Sequence, residues 1–139
     1  MTATDKQVKK PLTIITSHIN ADFDAVASML AAQKLYPEAL AVFPGSQEKN
    51  LRNFFIQSMV YLFNIIELNR IDFSAVTRLV LVDTRRRSRI GELSRVLDNP
   101  GLKIHIYDHH PKKEDDIPAD REHHMLTGAT VTILSGILR

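Results

Sequence analysis

Lys103-Ile104-His105-Ile106-Tyr107-Asp108-His109-His110 combines an alternating apolar run with three residues able to bind a metal ion. The alternation predicts a strand over 103–108 that delivers acidic and imidazole side chains to one end. Two earlier runs finish the same way. Leu12-Thr13-Ile14-Ile15-Thr16-Ser17 leads into His18, Asp22 and Asp24, while Leu79-Val80-Leu81-Val82 ends at Asp83. Residues 24–35 carry Ala25, Met29, Ala32 and Leu35 at helical spacing before Pro37 stops the pattern. Strands alternating with helices predict an α/β fold, a Rossmann-like parallel sheet flanked by helices. In such sheets ligands gather beyond the carboxyl ends of the strands, where His18, Asp22, Asp24, Asp83 and Asp108 to His110 all fall.

Working outward, residues 39–43 read as a second strand closed by Pro44-Gly45, with Ser46 placed to cap a helix from Gln47. Leu51, Phe54, Phe55, Met59, Leu62 and Phe63 recur at mostly helical spacing within 51–68, which predicts a buried helix face rather than a platform for stacking bases. A strand is expected over 78–83, a short helix over 91–97 and a turn at Asn99-Pro100-Gly101. The polar residues 1–11 read as a flexible tail, leaving one domain over 12–139.

The 139 residues, 44% hydrophobic and 24% charged, have the composition of a single globular domain. No apolar run reaches the roughly 18 residues that span a bilayer, and the polar start lacks a signal-peptide core, so a cytoplasmic location without membrane association is expected. There is no cysteine, which excludes disulfides and thiolate metal sites. Any metal must then be held by imidazole and carboxylate, a donor set suited to manganese, magnesium, iron, cobalt or zinc. Net charge is only +2, but Arg85-Arg86-Arg87-Ser88-Arg89 concentrates positive charge directly after Asp83. Such a run is either a solvated turn or a set of phosphate contacts, and its position beside the acidic cluster favours phosphate for Arg85, Arg86, Arg87 and Arg89.

Each site residue has a plain structural reading. Asp22 or Asp24 suits a helix N-cap, Asp83 a strand-ending turn and His109 an ordinary loop. His105 alternates inside a strand and reads as structural, whereas His123 and His124 read as surface residues. The combination outweighs these readings. Asp83, with two oxygens, can bridge two ions, and His109 or His110 can complete the shell, as displacement at phosphorus commonly requires.

The motifs His18-Ile19-Asn20-Ala21-Asp22-Phe23-Asp24-Ala25-Val26-Ala27-Ser28, Val80-Leu81-Val82-Asp83-Thr84 and Asp108-His109-His110-Pro111 resemble those of the DHH phosphoesterase superfamily, in the same order. Gly128-Ala129-Thr130-Val131-Thr132 is similar to the start of the helix that follows them. The resemblance implies a DHH-type domain that hydrolyses phosphodiester or phosphoanhydride bonds with two divalent ions, usually manganese, with magnesium as an alternative. It implies His18, Asp22, Asp24, Asp83 and His109 as metal ligands. Asp108 and His110 match catalytic positions that support the site or contact phosphate. Asp22-Phe23-Asp24-Ala25 and Phe43-Pro44-Gly45-Ser46-Gln47 further resemble the amino-terminal module of bacterial proteins that join DHH, CBS and poly(A) polymerase or tRNA nucleotidyltransferase domains. Phe23 stands where glycine is common elsewhere, so the substrates of the exonuclease branch do not transfer with the motif.

The family carries a further ligand aspartate beyond the Gly-Ala-Thr helix, yet no acidic residue follows Glu122. A carboxy-terminally truncated domain of a longer protein is therefore expected, with weak metal binding and little turnover by these residues alone. The implied partners are a nucleotide, a single-stranded oligonucleotide or RNA, together with downstream domains of the same chain. An apolar final helix would also favour a homodimer. The rival expectation is a non-catalytic module that binds nucleotide or RNA for a neighbouring nucleotidyltransferase domain.

Overall fold

The computed structural model describes residues 11–44, 64–111, 113–114 and 116–124. The expectations for the tail before Pro11, the helix from Gln47, the aromatic-rich helix up to Phe63 and the helix at Gly128 lie outside these residues. Five strands form one sheet: β1 (Leu12–Thr16), β2 (Leu40–Ala41), β3 (Val76–Val82), β4 (Lys103–Asp108) and β5 (Arg121–His124). Their order is β2-β1-β3-β4-β5 and every pairing is parallel. Helix α1 (Phe23–Leu35) makes the crossover from β1 to β2.

Alternation along the central strands sorts the core into two layers. Ile15, Val80, Val82 and Tyr107 pack with Ala25, Val26, Met29 and Ala32 of α1 on one face. Ile14, Leu79, Leu81 and Ile106 pack on the other with Ile90, Leu93 and Val96. Each of the large aliphatic side chains buried there contributes roughly 1.5–3 kcal/mol relative to exposure. Burial on both faces explains why these strands read as nearly continuous apolar runs.

Local chemistry fixes the ends of α1. Asp22 accepts the Ala25 N–H at 2.9 Å, satisfying one of the first-turn donors, and Asp24 adds negative charge to that turn. At the other end Tyr36 donates to the Ala32 carbonyl, and Pro37 prevents continuation. Gln33 then ties the helix to its surroundings, donating to Ala39 O at 2.6 Å and accepting the Asn64 N–H at 3.1 Å.

Beyond shifts of one or two residues at strand ends, such as β3 running over Val76–Val82, four features differ from expectation. β2 is confined to Leu40–Ala41 because Thr16 Oγ1 takes the Val42 carbonyl at 2.6 Å and the chain then leaves the ladder. Residues 64–67 are not helical; Ile65 bridges Ala41 in parallel and covers the outer edge of β2. The segment Gly91–Asp98 winds as a 3-10 helix, in which Ile90, Leu93 and Val96, three apart, point together into the core. Gly91 enters it at φ +55, and a Cβ there would lie 2.8 Å from Pro44 O, so no larger residue fits without displacement. The fourth difference is β5, which no apolar pattern announced.

His105 is buried, with Nδ1 2.6 Å from the Tyr36 hydroxyl, which also lies 2.6 Å from the Tyr107 hydroxyl. This polar cluster joins the end of α1 to β4, the structural role read for His105.

Candidate metal centre

The chain leaves β1 toward β2 on one side and returns to β3 on the other, which opens a crevice at the carboxyl ends of β1 and β3. β4 extends the rim. The loops there are stitched to one another: Ser17 Oγ donates to Val82 O at 2.7 Å, the Ile19 N–H to Arg89 O at 2.7 Å and the Asp83 N–H to Tyr107 O at 2.9 Å.

Asp83 occupies the centre. It ends β3 with φ 58, a left-handed conformation that costs most residues about 1 kcal/mol or more and that Asp and Asn tolerate best. This bend aims a 4% exposed carboxylate across the crevice. Oδ2 lies 3.3 Å from His18 Nε2 and Oδ1 lies 3.0 Å from His109 Nε2. Two groups of donor atoms result, His18 with Asp22 and Asp83, and Asp83 with His109 and His110, each gathered within 4.8 Å. Asp83 belongs to both. Asp24 approaches the second group, with Oδ2 4.0 Å from His109 Nε2, and its Oδ1 is buried without a hydrogen-bond partner among the described residues.

The alternatives open for Asp22 are therefore compatible. It caps α1 through Oδ1 and also stands in the first donor group.

Charge is distributed unevenly. Burial, reinforced by the negative charge of Asp83, pushes the Asp24 carboxyl above its usual range. Burial acts the same way on Asp83, but hydrogen bonds from His18 and Asp24 and the charges of His18 and His109 outweigh it and hold that carboxyl low. The bond to Asp83 raises His18 against the opposing effect of burial. In metal-free protein the His18–Asp83 pair thus adds stability that is complete below the ordinary imidazole value of 6.5 and is lost as pH rises through the higher folded value. Metal binding has the opposite dependence, because a ligating imidazole must be neutral. Thermal melts across neutral pH are expected to show falling stability with chelator present and a growing increment from added manganese; parallel pH trends in the two series would contradict the assignment.

Asp108 is 0% exposed, and both its oxygens are engaged: Oδ2 accepts Arg85 Nε at 2.8 Å, and Oδ1 lies 2.5 Å from His110 Nδ1. It borders the cavity with both oxygens already committed to these two neighbours. The arginine run divides. Arg85, buried and ion-paired, lines with Arg86 and Arg89 a cavity of about 710 Å³ that contains both donor groups, whereas Arg87 is exposed with its guanidinium 4.0 Å from Asp98. Phosphate contact through Arg87 does not fit this placement, because its charge points away from the cavity. Thr84, Lys113 and Asp116 also line the cavity and were not singled out from the sequence. Lys112-Lys113 was a visible signal for the lysine. His123 and His124 fall in β5.

Residues 12–138 match the DHH family, N-terminal domain. The chain belongs to this family. The DHH domain is 47% identical over 124 residues to the A-adding tRNA nucleotidyltransferase of Geobacter sulfurreducens, a match covering 89% of this chain and 14% of that protein. It thus spans about 14% of the length of this curated relative. An exopolyphosphatase-related protein from Bacteroides fragilis shares the fold, with a TM-score of 0.69 at 18% identity over 91% of this chain and 38% of that one. DHH domains are generally metal-dependent, and the donor set here fits that property. Imidazole nitrogens and carboxylate oxygens converge on Asp83, and the buried Asp24 Oδ1, which has no partner among the described residues, is an acceptor that a cation would satisfy. Among the described residues no helix is long and apolar enough to cross a membrane.

Proposed function

We propose that this DHH domain is the phosphoesterase module of a longer protein and hydrolyses phosphodiester or phosphoanhydride bonds of a nucleotide, single-stranded oligonucleotide or RNA. The observation that carries the reading is Asp83, whose two oxygens face two separate donor groups. His18, Asp22 and Asp83 would hold one manganese ion, and Asp83, Asp24 and His109 the other, with magnesium as the substitute. When bound, such a pair turns water into a nucleophile at neutral pH and neutralises charge developing on the phosphoryl group.

The remaining residues bind and orient. Arg86, Arg89 and Lys113 give the cavity cationic donors for substrate phosphates. His110, half exposed at the rim, can accept a hydrogen bond at Nε2 from the attacking water or a substrate hydroxyl while Asp108 holds Nδ1. Likeness to an A-adding tRNA nucleotidyltransferase supports a second reading, in which the module binds RNA or nucleotide without cleaving it. Manganese titration of the full-length protein with a short oligoribonucleotide and with pyrophosphate separates the two. Hydrolysis saturating with manganese is expected; binding of the oligonucleotide with no cleavage by any divalent ion would leave the binding module standing.

A further inference from the structure

Arg85 is the most enclosed cation among the described residues, its side chain 4% exposed at the floor of the cavity. Nε donates to Asp108 Oδ2 at 2.8 Å and lies 3.9 Å from Asp116 Oδ2, while Nη1 bonds Glu122 Oε1 of β5. Nη2 is buried too, with no partner among the described residues. Burial pulls its pKa down, but the bonds to Asp108 and Glu122 more than reverse this and hold the guanidinium in its charged form. Arg85 borders the cavity, but two of its three nitrogens are already committed to Asp108 and Glu122. The same chain of contacts continues beyond Arg85, through Asp108 Oδ1 to His110 Nδ1 at 2.5 Å.

We infer that Arg85 is a positioning residue, clamped by Glu122 of β5, that acts through Asp108 to fix the ring orientation and tautomer of His110. A carboxylate accepts and does not donate, so Asp108 between Arg85 and His110 places the imidazole proton on Nδ1 and leaves Nε2 with its lone pair. An outer partner of this kind orients an imidazole and raises its basicity. The planar fork is what allows one side chain to bond Asp108 and Glu122 at once, and an ammonium cannot reproduce that geometry. β5, a strand with no apolar residue of its own, thereby gains a function. Its Glu122, opposite Ile106 in register, anchors the support of the DHH tripeptide from the neighbouring strand.

The test is carbon and nitrogen NMR of histidine-labelled full-length protein, without metal and with the imidazoles neutral. His110→Gln assigns the signals, and the variants are Glu122→Gln and Arg85→Lys. The native His110 ring is expected in the Nδ1–H tautomer. Both variants, verified as folded by circular dichroism, are expected to show mixed tautomers and manganese-dependent activity lowered about 10- to 100-fold. Should Arg85→Lys fail to fold, Glu122→Gln alone decides, since it keeps size and polarity. An unchanged tautomer in folded Glu122→Gln would overturn the inference. So would Arg85→Lys with native kcat and a raised KM, the signature of direct phosphate contact. The tautomer is read without turnover, so an inactive protein would refute the phosphoesterase reading and leave this result intact.

Discussion

Asp83→Asn is expected to reduce manganese-dependent hydrolysis on the order of 100-fold or more, since changes even to groups outside the ligand shell cost about 10- to 100-fold. Asparagine retains shape and tolerates the left-handed backbone at φ 58, so the substitution removes charge without straining the turn. Two effects oppose each other in the metal-free fold. His18 and His109 lose an anionic partner, while Asp24 loses the neighbouring charge that helps push its own proton affinity up. Urea unfolding of metal-free Asp83→Asn should therefore stay within about 1 kcal/mol of the parent, as for ordinary single substitutions. Stabilisation by added manganese, by contrast, should largely disappear. Metal-stimulated hydrolysis that survives in the folded variant would remove Asp83 from the centre of the mechanism. Native oligonucleotide binding with hydrolysis absent from parent and variant alike would instead favour the non-catalytic module.

What the sequence made visible follows from what each feature depends on. β4 and the central part of β3 were legible because burial on both faces forces Ile104 and Ile106, or Leu79 to Val82, to be apolar whatever their neighbours. The convergence of His18, Asp22, Asp24, Asp83 and His109 was legible because parallel topology places strand ends together without knowledge of any side chain. β5 was not legible. Arg121-Glu122-His123-His124 pairs through its backbone with β4, and backbone hydrogen bonding leaves no composition to read. Nor could the arginine run reveal which member turns inward. Arg85, Arg86, Arg87 and Arg89 are alike as a charge pattern, and the carboxylates that select Arg85 stand at 108, 116 and 122, brought near only by the sheet and its loops. The same limit applied to Asp22, where capping and a place in a donor group looked like alternatives until the fold showed that the residue caps α1 and still stands beside His18 and Asp83.

The largest loss of stability is expected from Arg85→Leu. Asp108 is fully enclosed and accepts from Arg85 at 2.8 Å, and Glu122 loses its bond to the same guanidinium. Removing one member of a buried pair leaves the other desolvated and uncompensated, which costs about 3–5 kcal/mol. The exposed Arg87, 4.0 Å from Asp98, provides the internal comparison: Arg87→Leu should change stability by less than about 1 kcal/mol. Urea midpoints with unchanged m-values would measure both. The double variant Arg85→Leu with Asp108→Asn discriminates charge from packing. If the loss reflects an unpaired carboxylate, neutralising Asp108 recovers part of it and the double variant is more stable than the sum of the singles. If the loss reflects only the missing guanidinium volume, the two effects add. An Arg85→Leu cost below about 1 kcal/mol would place Arg85 with the surface arginines, and a solvated, mobile guanidinium could not hold Asp108 or, through it, His110.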